Sequence, residues 1–232
     1  MEHFAKIFFA SIESFYDKES DTLKELFFEK LEKATEKRRT RVERVRDNLS
    51  KAELLMAEVL RDYAIKRVFG IEEPNITIGK DGKPLLTGET DKFFNVSHSG
   101  EMVVCAVSDT ECGVDIEGTL HPHDLMNISN RFFSAAEQSA VIMSANPNEA
   151  FCRLWTIRES YVKMRGCGFS IGLTSLKCDF HRGKASITES GVPQTDAVFY
   201  EIKDIPNFRA CLCTKGDVNV ETEVLKSFPC LS

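Results

Sequence analysis

Two short segments constrain this chain most. The first, Gly113-Val114-Asp115-Ile116-Glu117, follows the apolar run Met102-Val103-Val104-Cys105-Ala106-Val107 and has β-branched residues between its acids. It reads as a strand on which Asp115 and Glu117 point the same way. The second is Trp155-Thr156-Ile157-Arg158-Glu159-Ser160-Tyr161-Val162-Lys163. Apolar residues at Phe151, Leu154, Trp155, Tyr161 and Val162 fall close to helical spacing, which places Glu159 and Lys163 one turn apart on one face. If strand and helix converge, three carboxylates at ~5 Å repel by about 3 kcal/mol per pair at an effective dielectric of ~20. A fold tolerates that poorly without a cation, and a few hard oxygen ligands suit Mg²⁺, which keeps waters and binds substrate phosphates as well.

Read for organisation, the chain runs through one pattern twice. The N-terminal half offers a strand over 6–12, a helical region over 21–33, a basic stretch, a longer helix over 50–68, and strands over 75–78 and 102–108 with a turn at Asp81-Gly82 between them. The C-terminal half offers a strand over 113–117, a helical region containing Phe132-Phe133-Ser134, a main helix over 149–164, and strands over 176–180, 185–188, 198–202 and 209–213. The expected fold is therefore α+β: two similar subdomains, 1–110 and 111–232, related by pseudo-twofold symmetry. Each packs a small, mainly antiparallel sheet on helices, with the site at their seam.

Composition narrows the function classes. With a net charge of −6 the chain is a poor candidate for a generic nucleic-acid binder. The charge is uneven, however: between Glu36 and Arg46, six cations (Lys37, Arg38, Arg39, Arg41, Arg44, Arg46) face two acids (Glu36, Glu43), a local excess of four. That stretch is either an anion site or a solvated helix face. Eight cysteines are scattered at 105, 112, 152, 167, 178, 211, 213 and 230 with no C-x-x-C pair, which predicts reduced, mostly buried thiols rather than a disulfide framework. The close pair His121-Pro122-His123 is a poor basis for a zinc site. No segment approaches the ~20 apolar residues of a membrane helix, and the start carries no convincing signal-peptide pattern, so the expected location is the cytoplasm.

The two segments also carry a likeness, extended by Gly82-Lys83-Pro84, by Phe94-Asn95-Val96-Ser97-His98-Ser99, and by Arg131-Phe132-Phe133-Ser134 with Glu137 three residues on. These five ordered motifs, spread over residues 38–168, resemble the phosphopantetheinyl transferase superfamily, whose pattern pairs a G-[VI]-D-x-E strand with a W-x-x-K-E-[SA]-x-x-K helix. Chain length points to its monomeric Sfp-like class rather than the half-length trimeric class. The resemblance implies transfer of phosphopantetheine from coenzyme A to a serine of an apo acyl or peptidyl carrier protein, with release of adenosine 3′,5′-bisphosphate. It implies Asp115, Glu117 and Glu159 as Mg²⁺ ligands and Glu159 as the base, with Glu137 a second candidate. Lys163 would meet the departing phosphate. Arg38, Arg41, Lys83, Pro84, Ser97 and His98 would contact coenzyme A, so that the N-terminal subdomain holds its phosphates and the C-terminal subdomain the metal.

Each motif has a plainer reading beside the functional one. Glu159 preceding Lys163 by four is the favoured orientation for a helix-stabilising pair, worth about 0.3–0.5 kcal/mol. Lys83-Pro84 can be a simple turn after Asp81-Gly82. Ser97 and His98 are not a hydrolase pair, because adjacent residues of an extended chain point to opposite faces. Phe132, Phe133 and Gly166-Cys167-Gly168-Phe169 are either a carrier-docking surface or core. Two residues depart from the family pattern: Arg158 stands where a lysine is usual, and Glu53 lies where relatives often carry a basic residue near coenzyme A. Two other functions use the same residues: a coenzyme A or carrier-protein binding module without transfer, and a metal-dependent phosphodiesterase with water as nucleophile.

Overall fold

The computed structural model describes residues 2–79, 82–120, 125–167 and 172–225. His121-Pro122-His123, Asp81 of the expected turn, Gly168 and Phe169 of the candidate docking loop, and Cys230 lie outside them.

Two sheets, each carrying one long helix, make up the fold. The N-terminal sheet contains β1 (Phe4–Ser11), β6 (Phe93–Ser99) and β7 (Met102–Ser108) in the order β1-β7-β6, with antiparallel neighbours. Across it lies α3 (Asn48–Phe69), started by the Asp47 side chain accepting from Ser50 N–H and stopped by Gly70 at φ +71°. The C-terminal sheet contains β8 (Cys112–Gly118), β12 (Ala197–Ile202) and β13 (Phe208–Lys215) in the order β12-β13-β8, again antiparallel. Across this one lies α6 (Pro147–Arg165), with Asn146 as N-cap, proline at its first position and Gly166 at φ +68° as its stop.

The remaining elements are short. They are β2 (Tyr16–Asp17) with β3 (Thr22–Leu23), helices α1 (Glu25–Glu32) and α2 (Glu36–Glu43), the hairpin β4 (Ile76–Ile78) with β5 (Pro84–Leu86), helices α4 (Leu125–Phe132) and α5 (Ala135–Ile142), and the meander β9 (Leu176–His181), β10 (Lys184–Glu189), β11 (Val192–Pro193). A strand, then three helices, then antiparallel strands thus recur in the order expected of an α+β chain.

Burial explains why β1 reads as an unbroken apolar run. Phe8 and Ala10 face α3 together with Val103, Cys105 and Val107, while Ile7 and Phe9 join Val104 and Ala106 in a second core between the two sheets. Strand β8 feeds that same seam with Cys112, Val114 and Ile116. Its other face, Gly113, Asp115 and Glu117, is left for α6.

One strand was not expected. β14 (Asn219–Leu225) pairs in parallel with β1, Phe4 opposite Asn219 and Ala10 opposite Leu225, so the chain ends its described course in the N-terminal sheet. A division at residues 110/111 falls between β7 and β8 but does not follow the sheets at the C-terminal end. Other boundaries moved by a few residues. The helical region expected over 21–33 is a short strand, Thr22–Leu23, followed by α1 from Glu25.

The thiols of Cys105, Cys112, Cys152, Cys178, Cys211 and Cys213 are buried and free, as expected. Burial pushes the Cys112 thiol up to about 11 and Cys152 to about 12, which leaves them as inert packing groups at neutral pH. Among the described residues no helix is long and apolar enough to cross a membrane.

Candidate active site

Strand β8 and helix α6 touch because Gly113 has no side chain. A Cβ there would stand 2.2 Å from both Met164 N and Ser160 O of the helix backbone. Asp115 and Glu117, on the same strand face as Gly113, line a cavity of about 400 Å³ together with Glu159 and Lys163 of α6. Convergence of the three carboxylates and the lysine, expected from strand and helix periodicity, is found.

The third wall is β6. Ser97 Oγ donates to Asp115 Oδ1 at 2.8 Å, Ser99 Oγ donates to Glu117 Oε1 at 3.3 Å, and Asn95 Oδ1 accepts from Val114 N–H at 2.8 Å. The constant offset of about eighteen residues means that β6 and β8 run side by side in one direction, joined by side chains. Asn95 and Ser99 were not singled out from sequence, although polar residues at 95, 97 and 99 share one face of a strand. His98 points away from them and is exposed, at 3.4 Å from Glu53 Oε2 through Nδ1. The unusual acid of α3 therefore faces the histidine implied in coenzyme A binding.

Lys163 does not pair with Glu159. Its Nζ donates to Asp115 Oδ1 at 2.6 Å and to Ser97 Oγ at 2.7 Å. Among the described residues Glu159 has no hydrogen-bond or ion-pair partner, and its carboxyl is pushed up to about 7, first by burial and then by the charge of Asp115, with Lys163 opposing. A carboxyl bound more tightly to its proton in the folded state than its ordinary 4.5 gives stability that is present below about pH 4.5 and is lost as pH rises to about 7. In chelator at pH 8, Glu159→Gln is therefore expected to melt higher than the parent, by on the order of 3 kcal/mol at most. Equal melting curves at pH 5 and 8 for both proteins would contradict this.

A second cavity of about 340 Å³ adjoins the first and shares Val96, Glu159, Lys163 and Leu173 with it. Gly82, Lys83 and Pro84 line its far side. Lys83 does not offer its ammonium there: Nζ donates to Cys112 O and Met164 O, both at 2.9 Å, and burial lowers its pKa. Without a ligand its ammonium ties together the β4–β5 hairpin, the start of β8 and the end of α6, where carbonyls at a helix C-terminus favour a cation.

Two further expected site residues stand outside the cavities. Glu137 lines neither cavity. It closes a capping box with Ser134 at the start of α5, and its Oε1 accepts from Arg158 Nη2 at 2.6 Å and from Cys178 N–H at 2.9 Å. Burial pulls its pKa up but these donors outweigh it and hold it down, and with Oε2 accepting from Ser134 N–H and Oγ both oxygens are occupied. Arg38 is likewise occupied: Nε meets Glu58, and Nη2 lies 2.8 Å from Asp62 Oδ2, so its charge is matched inside the α2–α3 contact. Arg41 is more exposed, 3.3 Å from Glu58 Oε1. Neither arginine is among the residues lining the two cavities.

Arg158 explains itself once its surroundings are known. It is wholly buried, and beside the Glu137 pair its Nη1 donates to Leu173 O and Leu176 O, both at 2.9 Å. A lysine has no fork to reach three acceptors in this arrangement. Arg158→Met strands the Glu137 carboxylate and is expected to cost roughly 3–5 kcal/mol, a fall in Tm of about 6–20 °C. A melting curve within 2 °C of the parent, within noise of roughly 0.5–1 kcal/mol, would refute that role. Phe133 is core, packed at 5.6 Å centroid distance on Phe151, whereas Phe132 lines the cavity beside Trp155.

Could the site hold a divalent cation? Asp115, Glu117 and Glu159 supply only hard oxygen donors, and Glu159 has no hydrogen-bond or ion-pair partner among the described residues, only the weaker pull of the Lys163 charge. Among the described residues no three acidic, histidine or cysteine side chains stand together so as to hold an ion by themselves. That suits Mg²⁺, which typically takes one or two carboxylates plus waters and phosphate oxygens rather than an all-protein cage. The donor set fits.

The carboxylate-and-lysine cavity lies at the seam of two helix-on-sheet halves, and comparison with known proteins gives the family. Residues 111–213 match the pattern of the 4′-phosphopantetheinyl transferase superfamily. The chain is 31% identical over 188 residues to 4′-phosphopantetheinyl transferase psf-1 of Bacillus pumilus, covering 79% of this chain and 80% of that one. It is 33% identical over 165 residues to gsp of Aneurinibacillus migulanus, covering 69% and 67%, and 35% identical over 138 residues to Sfp of Bacillus subtilis (strain 168), covering 57% and 61%. The match thus spans less than two thirds of Sfp itself. The chain belongs to the 4′-phosphopantetheinyl transferase superfamily, on its Sfp-like side.

Proposed function

We propose that the protein transfers the phosphopantetheine group of coenzyme A to a serine of an apo acyl or peptidyl carrier protein and releases adenosine 3′,5′-bisphosphate. The observation that carries this reading is the meeting of Asp115, Glu117, Glu159 and Lys163 on one cavity in a chain of this superfamily. Asp115, Glu117 and Glu159 are the groups that would hold Mg²⁺, which when bound supplies charge neutralisation for the pyrophosphate.

The chain's own residues do the rest. Glu159 takes the proton from the carrier serine as its oxygen forms a bond to the β-phosphorus, a positioned proton transfer of the kind worth about 10²–10⁴ in rate. The bond from that phosphorus to the bridging oxygen breaks, and Lys163, on a flexible stem at the same cavity, meets the negative charge of the departing adenosine bisphosphate. His98, at the exposed edge, and Arg41 are the remaining candidates for the nucleotide's phosphates, with Pro84 walling the adjoining cavity. A site assembled within one chain needs no second copy, which supports a monomer. Coenzyme A and carrier proteins as substrates support a cytoplasmic place.

Loss of His98 separates binding from chemistry. His98→Ala is expected to weaken coenzyme A binding by roughly tenfold or more, the worth of one hydrogen bond to a charged group, while changing the maximal rate much less. Calorimetric titration showing unchanged affinity removes His98 from the site. The reading as a whole is tested by product analysis. Adenosine bisphosphate released without a carrier protein would favour a phosphodiesterase, and binding without release a module that only holds coenzyme A.

A further inference from the structure

Lys163 stands where a divalent cation has most to offer. Its Nζ reaches Asp115 Oδ1 and Ser97 Oγ, and Ser97 Oγ donates in turn to the same Oδ1, so three atoms close a triangle on one carboxylate oxygen. Asp115 is buried and the Lys163 side chain is 26% exposed, so the pair is weakly screened. Glu159, one turn earlier on the same helix and ideally spaced for Lys163, goes without a partner among the described residues. The ammonium has crossed from its helix neighbour to the strand.

We infer that Lys163 is the counter-ion Asp115 keeps in the ligand-free protein, competing with a divalent cation for Asp115 Oδ1 until a ligand phosphate draws the ammonium away. An oxygen already accepting from two donors has no direction left for a cation at about 2.0–2.1 Å, and the ammonium beside it repels one. A lysine on a four-carbon stem with three donors can exchange a carboxylate for a phosphate by rotating. Ser97 Oγ is the pivot, since it touches both ends of the pair. Cation and phosphate ligand therefore strengthen each other's binding through Lys163, and the coupling is reciprocal. The identity of the phosphate ligand, coenzyme A, rests on the proposed function. The competition at Asp115 does not.

The test uses the full chain and Mn²⁺ alone as probe, with free Mn²⁺ read by electron paramagnetic resonance, with and without coenzyme A. In the parent protein Mn²⁺ affinity is expected to rise about tenfold or more when coenzyme A is added, within the ordinary range of site coupling. Lys163→Met is expected to bind Mn²⁺ alone about tenfold more tightly than the parent and to gain less from coenzyme A, while Lys163→Arg, which keeps the cation, stays weak. A folded Lys163→Met that binds Mn²⁺ alone no better than the parent overturns the inference. Should that variant fail to fold, Ser97→Ala replaces it: a smaller gain in the same direction supports the pivot, and unchanged affinity overturns it. If the parent binds no coenzyme A even with Mn²⁺, the transferase reading fails while the comparison in Mn²⁺ alone still decides the role of Lys163.

Discussion

Asp115→Ala will fold and will transfer no measurable phosphopantetheine. Asp115 is the carboxylate on which the site turns: it accepts from Ser97 and Lys163, and its charge raises the proton affinity of Glu159. Removing it deletes one proposed Mg²⁺ ligand and frees Lys163 to pair elsewhere, so both positioning and charge stabilisation are lost at the reacting phosphate. A single preorganised group of this kind is worth about 10²–10³ in rate, and the coupled loss sets that as the lower limit. The fold should survive, because Lys163 is partly solvated and Glu159 is relieved of a neighbouring charge. The check is a rate measured beside a thermal melt. Activity within tenfold of the parent would take Asp115 out of the site, whereas a collapsed melt would show a structural role instead.

Gly113→Ala is the second large effect, and it strikes the scaffold. The added methyl would lie 2.2 Å from two backbone atoms of α6, and backbone at a strand–helix contact cannot give way as a flexible side chain does. The helix must move off the strand, and with it Trp155, Glu159 and Lys163, which stand on one stripe of α6 facing the cavity. A loss of about 3–5 kcal/mol places this among the exceptional single substitutions. Any folded fraction should also be inactive, since displacements near 1 Å cost about a hundredfold in rate. Urea unfolding measures the first part. A variant as stable and as active as the parent would mean that β8 and α6 are not in direct contact. The first residue of the G-x-D-x-E pattern is thus explained by a steric requirement at the site's own foundation.

Much of this was legible in the sequence. Period-two spacing put Asp115 and Glu117 on one strand face, period-3.6 spacing put Glu159 and Lys163 on one helix face, and both held. The partner Lys163 chooses was not legible, because local spacing favours Glu159 and only the approach of β6 with Ser97 and of β8 with Asp115 reverses that preference. The contacts of Lys83 were not legible for a related reason: its long side chain reaches across the seam to carbonyls contributed by residues 112 and 164. Glu137 was readable. Ser134-Ala135-Ala136-Glu137 is a capping-box sequence, and that signal pointed to helix initiation rather than to catalysis. β14 carries a period-two pattern of its own, Val220, Thr222 and Val224 alternating with Asn219, Glu221 and Glu223, but local alternation does not tell that its partner is β1 at the other end of the chain.

The most direct measurement is the intact mass of apo acyl- and peptidyl-carrier proteins after incubation with the protein, coenzyme A and Mg²⁺, with and without a chelator. A gain equal to one phosphopantetheine group, lost in chelator and lost with Asp115→Ala, is the predicted result. An unmodified carrier alongside tight coenzyme A binding, or a gain that persists in chelator, would contradict it.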